Sequence, residues 1–166
     1  MNPESIRVLY DYSYWAFERV WNCITHLSDE QFIQNIEYST GSIRNHVVHL
    51  MSATNRWMAR LQAVEVPPQL VFEEFSTLAA TLAKWNEYRS KTLDYVGSLT
   101  QNQLDEIIQW ELNNRNILSK NPRWEILLHV ANHATDHRAQ ILAMLDQYFS
   151  VETVEQDMIL YLTEPK

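Results

Sequence analysis

Three of the six histidines, His129, His133 and His137, recur every fourth residue in Ile126-Leu-Leu-His129-Val-Ala-Asn-His133-Ala-Thr-Asp-His137-Arg-Ala-Gln-Ile141. That spacing puts the three rings on one stripe of an α-helix. A helix rises about 1.5 Å per residue, so His129 and His137 start roughly 12 Å apart. One ion with metal–nitrogen bonds of about 2.0–2.1 Å is within reach of neighbouring turns, not of all three. The stripe therefore offers a pair of imidazoles, and a third ligand must come from elsewhere in the chain. Three neutral imidazoles on a divalent ion would leave a coordination position open for water or substrate. A His pair alone is more often surface or packing than a ligand pair, so the third partner matters.

The segment bearing these rings reads as a long amphipathic helix. Asn121 can cap its start and Pro122 suits the first helical position. No Gly or Pro interrupts residues 123–149, and Ile126, Leu127, Val130, Ala134, Ile141, Leu142 and Leu145 recur at 3–4 spacing. A facing helix must supply the third ligand. Thr40-Gly41-Ser42 starts one, read from Ile43 to about Val64 and ended by Pro67-Pro68, with a stripe of Ile43, Val47, Leu50, Met51, Thr54, Trp57, Met58 and Leu61. It carries His46 and His49. At about 100° per residue His46 lies nearer the centre of that stripe than His49. Angle alone picks His46, but a site at the mouth of a bundle sits off the stripe centre, so geometry leaves the choice open.

Two further helices complete the set. One opens at Pro3 or Ser5, with Ile6, Leu9, Tyr10, Ser13, Ala16, Phe17, Val20, Ile24 and Leu27 inward. The other is read from about Leu70 to Val96 and closed by Gly97, with Phe72, Phe75, Leu78, Leu82, Trp85, Leu93 and Val96 as apolar positions. Ser28-Asp-Glu-Gln31 and Thr100-Gln-Asn-Gln103 both have capping-box spacing and mark a weak internal repeat. Ile107-Ile-Gln-Trp-Glu-Leu112 has β character, and Asn113-Asn114 could turn a short hairpin. Asp157 to Glu164 is a short amphipathic tail. Four long helices predict an all-α four-helix bundle of the antiparallel type, one domain over residues 1–166, in which inward side chains of facing helices build a metal site.

Composition excludes several classes. Net charge is −8 and no run of Lys or Arg forms a basic patch, so nucleic acid and anionic membranes are poor partners. Two glycines and five prolines disfavour a turn-rich β fold. The single cysteine, Cys23, rules out an internal disulfide and reads as a small buried thiol. No apolar run reaches transmembrane length and the first residues lack a leader's pattern, so the expected setting is soluble and cytoplasmic. No serine–histidine–acid pattern, phosphate loop or dinucleotide fingerprint is present.

Four pieces in order carry a family resemblance. Asn132-His133-Ala-Thr-Asp-His137-Arg138-Ala-Gln140-Ile141 resembles Asn-His-x-x-x-His-Arg-Gly-Gln-Ile, and Ser42-Ile-Arg-Asn-His-Val-Val-His49 with Trp57 eight residues on resembles a second-helix His motif. Tyr12-Ser-Tyr-Trp15-Ala16-Phe-Glu-Arg19-Val20 resembles Tyr-Asn-x-Trp-Ala-Asn-x-Arg-Leu, and the tail Asp157…Tyr161-Leu-Thr-Glu164 has the same look. These belong to the DinB/YfiT-like family of metal-dependent enzymes, which are four-helix bundles, and the likeness covers nearly the whole chain. It implies a divalent ion, zinc or nickel most often, held by His49, His133 and His137, which reverses the angular preference for His46. It also implies a homodimer and two chemistries on a small-molecule substrate: transfer or isomerisation with a low-molecular-weight thiol, and hydrolysis. A non-enzymatic metal-binding helical dimer is the competing class.

The chain departs from the family pattern at Ala139 for Gly, at Ser13 and Phe17 for two Asn, and at Thr54 for an acid. His46 and His129 are read as second-sphere or packing residues, and His26 as a partner of the first helix's C-terminal dipole. Asp136 and Arg138 are read as a solvated or interface pair, with contact to substrate as the lesser reading. A substrate cavity beside the ion is expected to be walled by Trp15, Trp57 and Trp124.

Overall fold

The computed structural model describes residues 1–112 and 115–164. Helix α1 spans Pro3–Ile24, and Asn2 caps it by accepting from the Ser5 N–H at 2.8 Å. The short α2, Asp29–Ile33, is held by the Ser28/Gln31 capping box. Gly41, at φ +95°, then turns the chain into α3, Ile43–Leu61, capped by Ser42. That φ is open to glycine at little cost, and a Cβ there would meet Asn35 Oδ1 at 2.8 Å.

A 3₁₀ turn at Phe72–Glu74 precedes α4, Leu78–Ser98. Helix α5, Gln101–Asp105, carries the second capping box, formed by Thr100 and Gln103. Strands β1, Ile107–Leu112, and β2, Ile117–Pro122, pair antiparallel with Ile107 opposite Pro122 and Leu112 opposite Ile117. Helix α6 runs Arg123–Phe149, and α7, Met158–Thr163, ends the described chain. The expected Asn113-Asn114 turn lies outside the described residues.

The architecture is the expected all-α one, with the four long helices α1, α3, α4 and α6 enclosing the core. Helix α6 lies between α1 and α3, and α4 closes the opposite side. Contacts along the helices set their directions. Residues 46, 49 and 57 of α3 meet 137, 133 and 129 of α6, which makes that pair antiparallel. Tyr10 and Ser13 of α1 meet Leu127 and Arg138 of α6, which makes that pair parallel. Arg7 and Phe17 meet Gly97 and Trp85, so α1 and α4 are antiparallel. The order is therefore up-down-down-up, not the fully antiparallel bundle that the sequence suggests.

This topology explains why the third long helix begins later than its apolar spacing predicts. Helices α3 and α4 point the same way, so residues 62–77 must climb back along the bundle. At about 1.5 Å per residue in a helix and 3.3 Å extended, an extended link covers α3's length where a helix would fall short. The Leu70 N–H donates to Ser52 Oγ midway along α3 at 3.1 Å. Thr77 caps α4, and the Leu78 N–H donates to Asp29 Oδ1 at 2.8 Å. Phe75 is still buried, from the link rather than from a helix. At the other end Gly97 lies inside α4 instead of closing it.

Other boundaries shift for local reasons. Helix α3 stops at Leu61, short of Val64, and Ala63 adopts φ 53°. Asn121 does not cap α6. It stays in β2, where Oδ1 accepts from the Trp110 indole and Nδ2 donates to Glu125, leaving Pro122 as the residue before the helix. The predicted core of α1 is right for Ile6, Tyr10, Ala16, Phe17, Val20, Ile24 and Leu27, and Tyr12, Tyr14, Trp21 and Cys23 are buried with them. Phe17 stacks on Trp85 with ring centroids 3.5 Å apart.

Candidate metal centre

Helices α3 and α6 cross so that His49 and His133 face each other, with Nε2 atoms 3.3 Å apart. His137, one turn along α6, brings its ring centroid to 4.7 Å from that of His49 and 4.5 Å from that of His133. One nitrogen from each of the three lies within 4.8 Å of the others. Two nitrogens each about 2.0–2.1 Å from an ion at a tetrahedral angle are separated by about 3.3 Å. The His49–His133 gap matches that separation, so the donor set fits a single divalent ion.

The electrostatics keep these rings in their ligand form. His133 and His137 are pushed down to about 4, mainly by burial and then by the neighbouring imidazoles, with Asp136 pulling the other way. Burial also lowers His49. Neutral imidazoles present lone pairs at neutral pH, as a metal requires.

His46 does not join the triad. It is fully buried and its Nδ1 lies 3.0 Å from His137 Nδ1. That contact engages one nitrogen of His137 and leaves its Nε2 for an ion. His129, a turn before His133, stands edge-on to Trp57 with ring centroids 5.4 Å apart, and Trp57 meets Trp110 of the hairpin at 5.3 Å. The hairpin thus braces the site through two indoles. His26 lies exposed just past the α1 C-cap.

Beside the triad an open cleft of about 430 Å³ is lined by His129, Asn132, His133, Thr135 and Asp136. The expected aromatic walls are only partly there. Trp57 adjoins the cleft through His129, whereas the Trp15 indole donates to Glu164 at 2.9 Å and packs on Tyr161, fastening the tail. Trp124 is half-buried against the core. A separate interior cavity of about 20 Å³, roughly the space of one water, is lined by residues including Tyr10, Ser13, Thr54 and Arg138. Thr54 therefore faces the bundle interior.

Asp136 and Arg138 are not a solvated pair. Asp136 is exposed and accepts from Gln140. Arg138 is 1 % exposed and donates to Gln156 Oε1, Ser13 O and Oγ, and Thr135 Oγ1. The helical period explains the split, because residues two apart point about 200° from one another, to nearly opposite faces. Missed from sequence were Asn132 and Thr135 at the cleft, whose residue types carry no metal signal, and the role of Arg138 as an anchor for Gln156.

The model of the DinB family matches residues 1–150. The chain is 27% identical to a Bacillus subtilis (strain 168) protein described as "Protein DinB", over 94% of each chain. A helical bundle with a three-histidine cluster, matched by the family model over nearly its whole length, belongs to the DinB family.

Proposed function

We propose that this protein is a metal-dependent enzyme acting on a small molecule, with zinc or nickel held by His49, His133 and His137. The preferred reaction is transfer or isomerisation with a low-molecular-weight thiol in a cytoplasmic setting. The carrying observation is the convergence of three neutral imidazoles, one nitrogen of each within 4.8 Å of the others and the His49–His133 pair at tetrahedral spacing, beside an open cleft. A divalent ion there would supply Lewis acidity and make a coordinated water or thiol easier to deprotonate.

The chain's own residues support the rest. His49, His133 and His137 would bind the ion from one side, leaving the cleft side for substrate. Trp57 and Trp110 hold His129 at the edge of the cleft. Asp136 and His129 are the proton acceptors at hand on its lining. With Thr54 in place of an acid and turned inward, no buried carboxylate lines the cleft among the described residues, and its lining offers Asp136 as the acid. A thiol ionises more readily than water and needs a weaker base, which favours the thiol reading. Hydrolysis is the second reading, and Asp136 on the cleft is the observation in its favour.

The test is cobalt substitution of the full chain. Adding glutathione or bacillithiol should change the visible absorption of the bound cobalt, as a sulfur ligand enters the open position. A spectrum that no thiol perturbs but hydroxide does would favour hydrolysis. A spectrum that neither perturbs would mean a closed site and a structural metal.

A further inference from the structure

The buried contact between His46 and His137 has a proton that only one ring can hold. We propose that His46 is a positioning residue that fixes the tautomer and ring orientation of His137, so that His137 presents Nε2 to the ion. The proposal rests on the reading of the triad as a metal site.

His46 precedes His49 by three residues on α3, so both rings project from the same face of the helix towards α6. His49 reaches His133, while His46, a turn earlier, reaches His137. Its ring is 0 % exposed and its Nδ1 lies 3.0 Å from His137 Nδ1. One of the two nitrogens must donate and the other accept, because neutral imidazole carries a single N–H.

The assignment follows from the ion. A ring that ligates through Nε2 carries its proton on Nδ1, so His137 is the donor. His46 then accepts at Nδ1 and holds its own proton at Nε2. The opposite arrangement places a proton on His137 Nε2, where no metal can bind. His46 Nε2 is buried and has no hydrogen-bond partner among the described residues. Both arrangements leave that atom unsatisfied, so the protein side expresses little preference and ion binding selects the first. His46 is thus held in the hydrophobic interior for its single acceptor, and its backing of His137 is a hydrogen bond rather than ligation. Outer-sphere partners of this kind are worth about 10–100-fold in metal affinity.

Two substitutions separate the hydrogen bond from the space filled. His46→Phe keeps a ring but removes the acceptor. His46→Asn keeps an oxygen near the place of Nδ1. In chelator competition for zinc on the full chain, with circular dichroism to confirm folding, His46→Phe should lose about 10–100-fold in affinity and His46→Asn should retain most of it. In the zinc-loaded wild type, ¹⁵N NMR of the rings should show a protonated Nδ1 on His137 and a protonated Nε2 on His46. Wild-type zinc affinity in His46→Phe, an equal loss in both variants, or a proton on Nδ1 of His46 would each overturn the proposal. Absence of zinc binding by the wild type would overturn the metal-site reading itself, and this inference with it.

Discussion

At the residue scale the triad is a balance between burial and charge. Ligand removal gives the most direct prediction. His49→Ala, His133→Ala or His137→Ala should each abolish the single bound equivalent of metal measured by elemental analysis, whereas His129→Ala should leave it in place. Metal kept by His49→Ala and lost by His46→Ala with its ligand-type spectrum would point to the other turn of α3. A second prediction concerns pH. His46, His133 and His137 sit at about 4 in the folded chain, from an ordinary value of 6.5, with burial the main cause. As pH falls below 6.5 the unfolded chain takes up protons that the folded chain refuses. The metal-free protein should therefore lose stability from about pH 6.5 down to about 4 and level off from these groups below that. Urea unfolding at a series of pH values should show this decline, shallower in His133→Gln. Superimposable curves for the two proteins would remove His133 from the account.

At the element scale, α6 is fixed at its start and near its middle by two arginines that face inward, Arg123 and Arg138. Arg123, the first residue of α6, donates through Nε to Gln103 O at 2.8 Å and through Nη1 to the Tyr95 hydroxyl at 2.6 Å. It also bonds to Leu61 O and Glu106 Oε2. One guanidinium thus joins the ends of α3 and α4 to α5 and the start of α6. Arg138 does the same for the tail, since Tyr12 and Arg19 bond to the carbonyls of Gln156 and Glu155 while Arg138 holds the Gln156 side chain. Arg123→Ala leaves buried acceptors unpaired and should destabilise the fold by about 2–4 kcal/mol. Thermal or urea unfolding checks it, and a loss below about 0.5 kcal/mol, the range of an ordinary surface substitution, would show that the clamp contributes nothing.

At the scale of the whole molecule, apolar side chains remain on the surface. Ile107, Ile117 and Leu118 of the hairpin are exposed, Leu118 by 66 %, as is Leu128 on the adjoining helix. Among the described residues no helix is long and apolar enough to cross a membrane. Such side chains on a small bundle are suited to covering by a second copy. We therefore expect a homodimer. Light scattering should give a mass near twice 19.7 kDa at micromolar concentration, and a monomer mass would exclude it.

Local chemistry made much of this legible before any fold was known. The Ser28/Gln31 and Thr100/Gln103 boxes, the α3 start at Ser42 and the long run of α6 depend on neighbours within a turn, and each is found as the sequence reads. The i, i+4 pair His133 and His137 is likewise a property of one helix. Which ring of α3 meets that pair was not local. Stripe angle favours His46, and only the crossing of α3 over α6 brings His49 to His133 and sends His46 to His137. The late start of α4 has the same origin. Residues 70–77 carry an apolar spacing that a helix could use, but the parallel course of α3 and α4 requires that segment to span the bundle extended. Periodicity measures which face of a segment is apolar; the direction of its neighbours, set by contacts far apart in the chain, decides what that face meets.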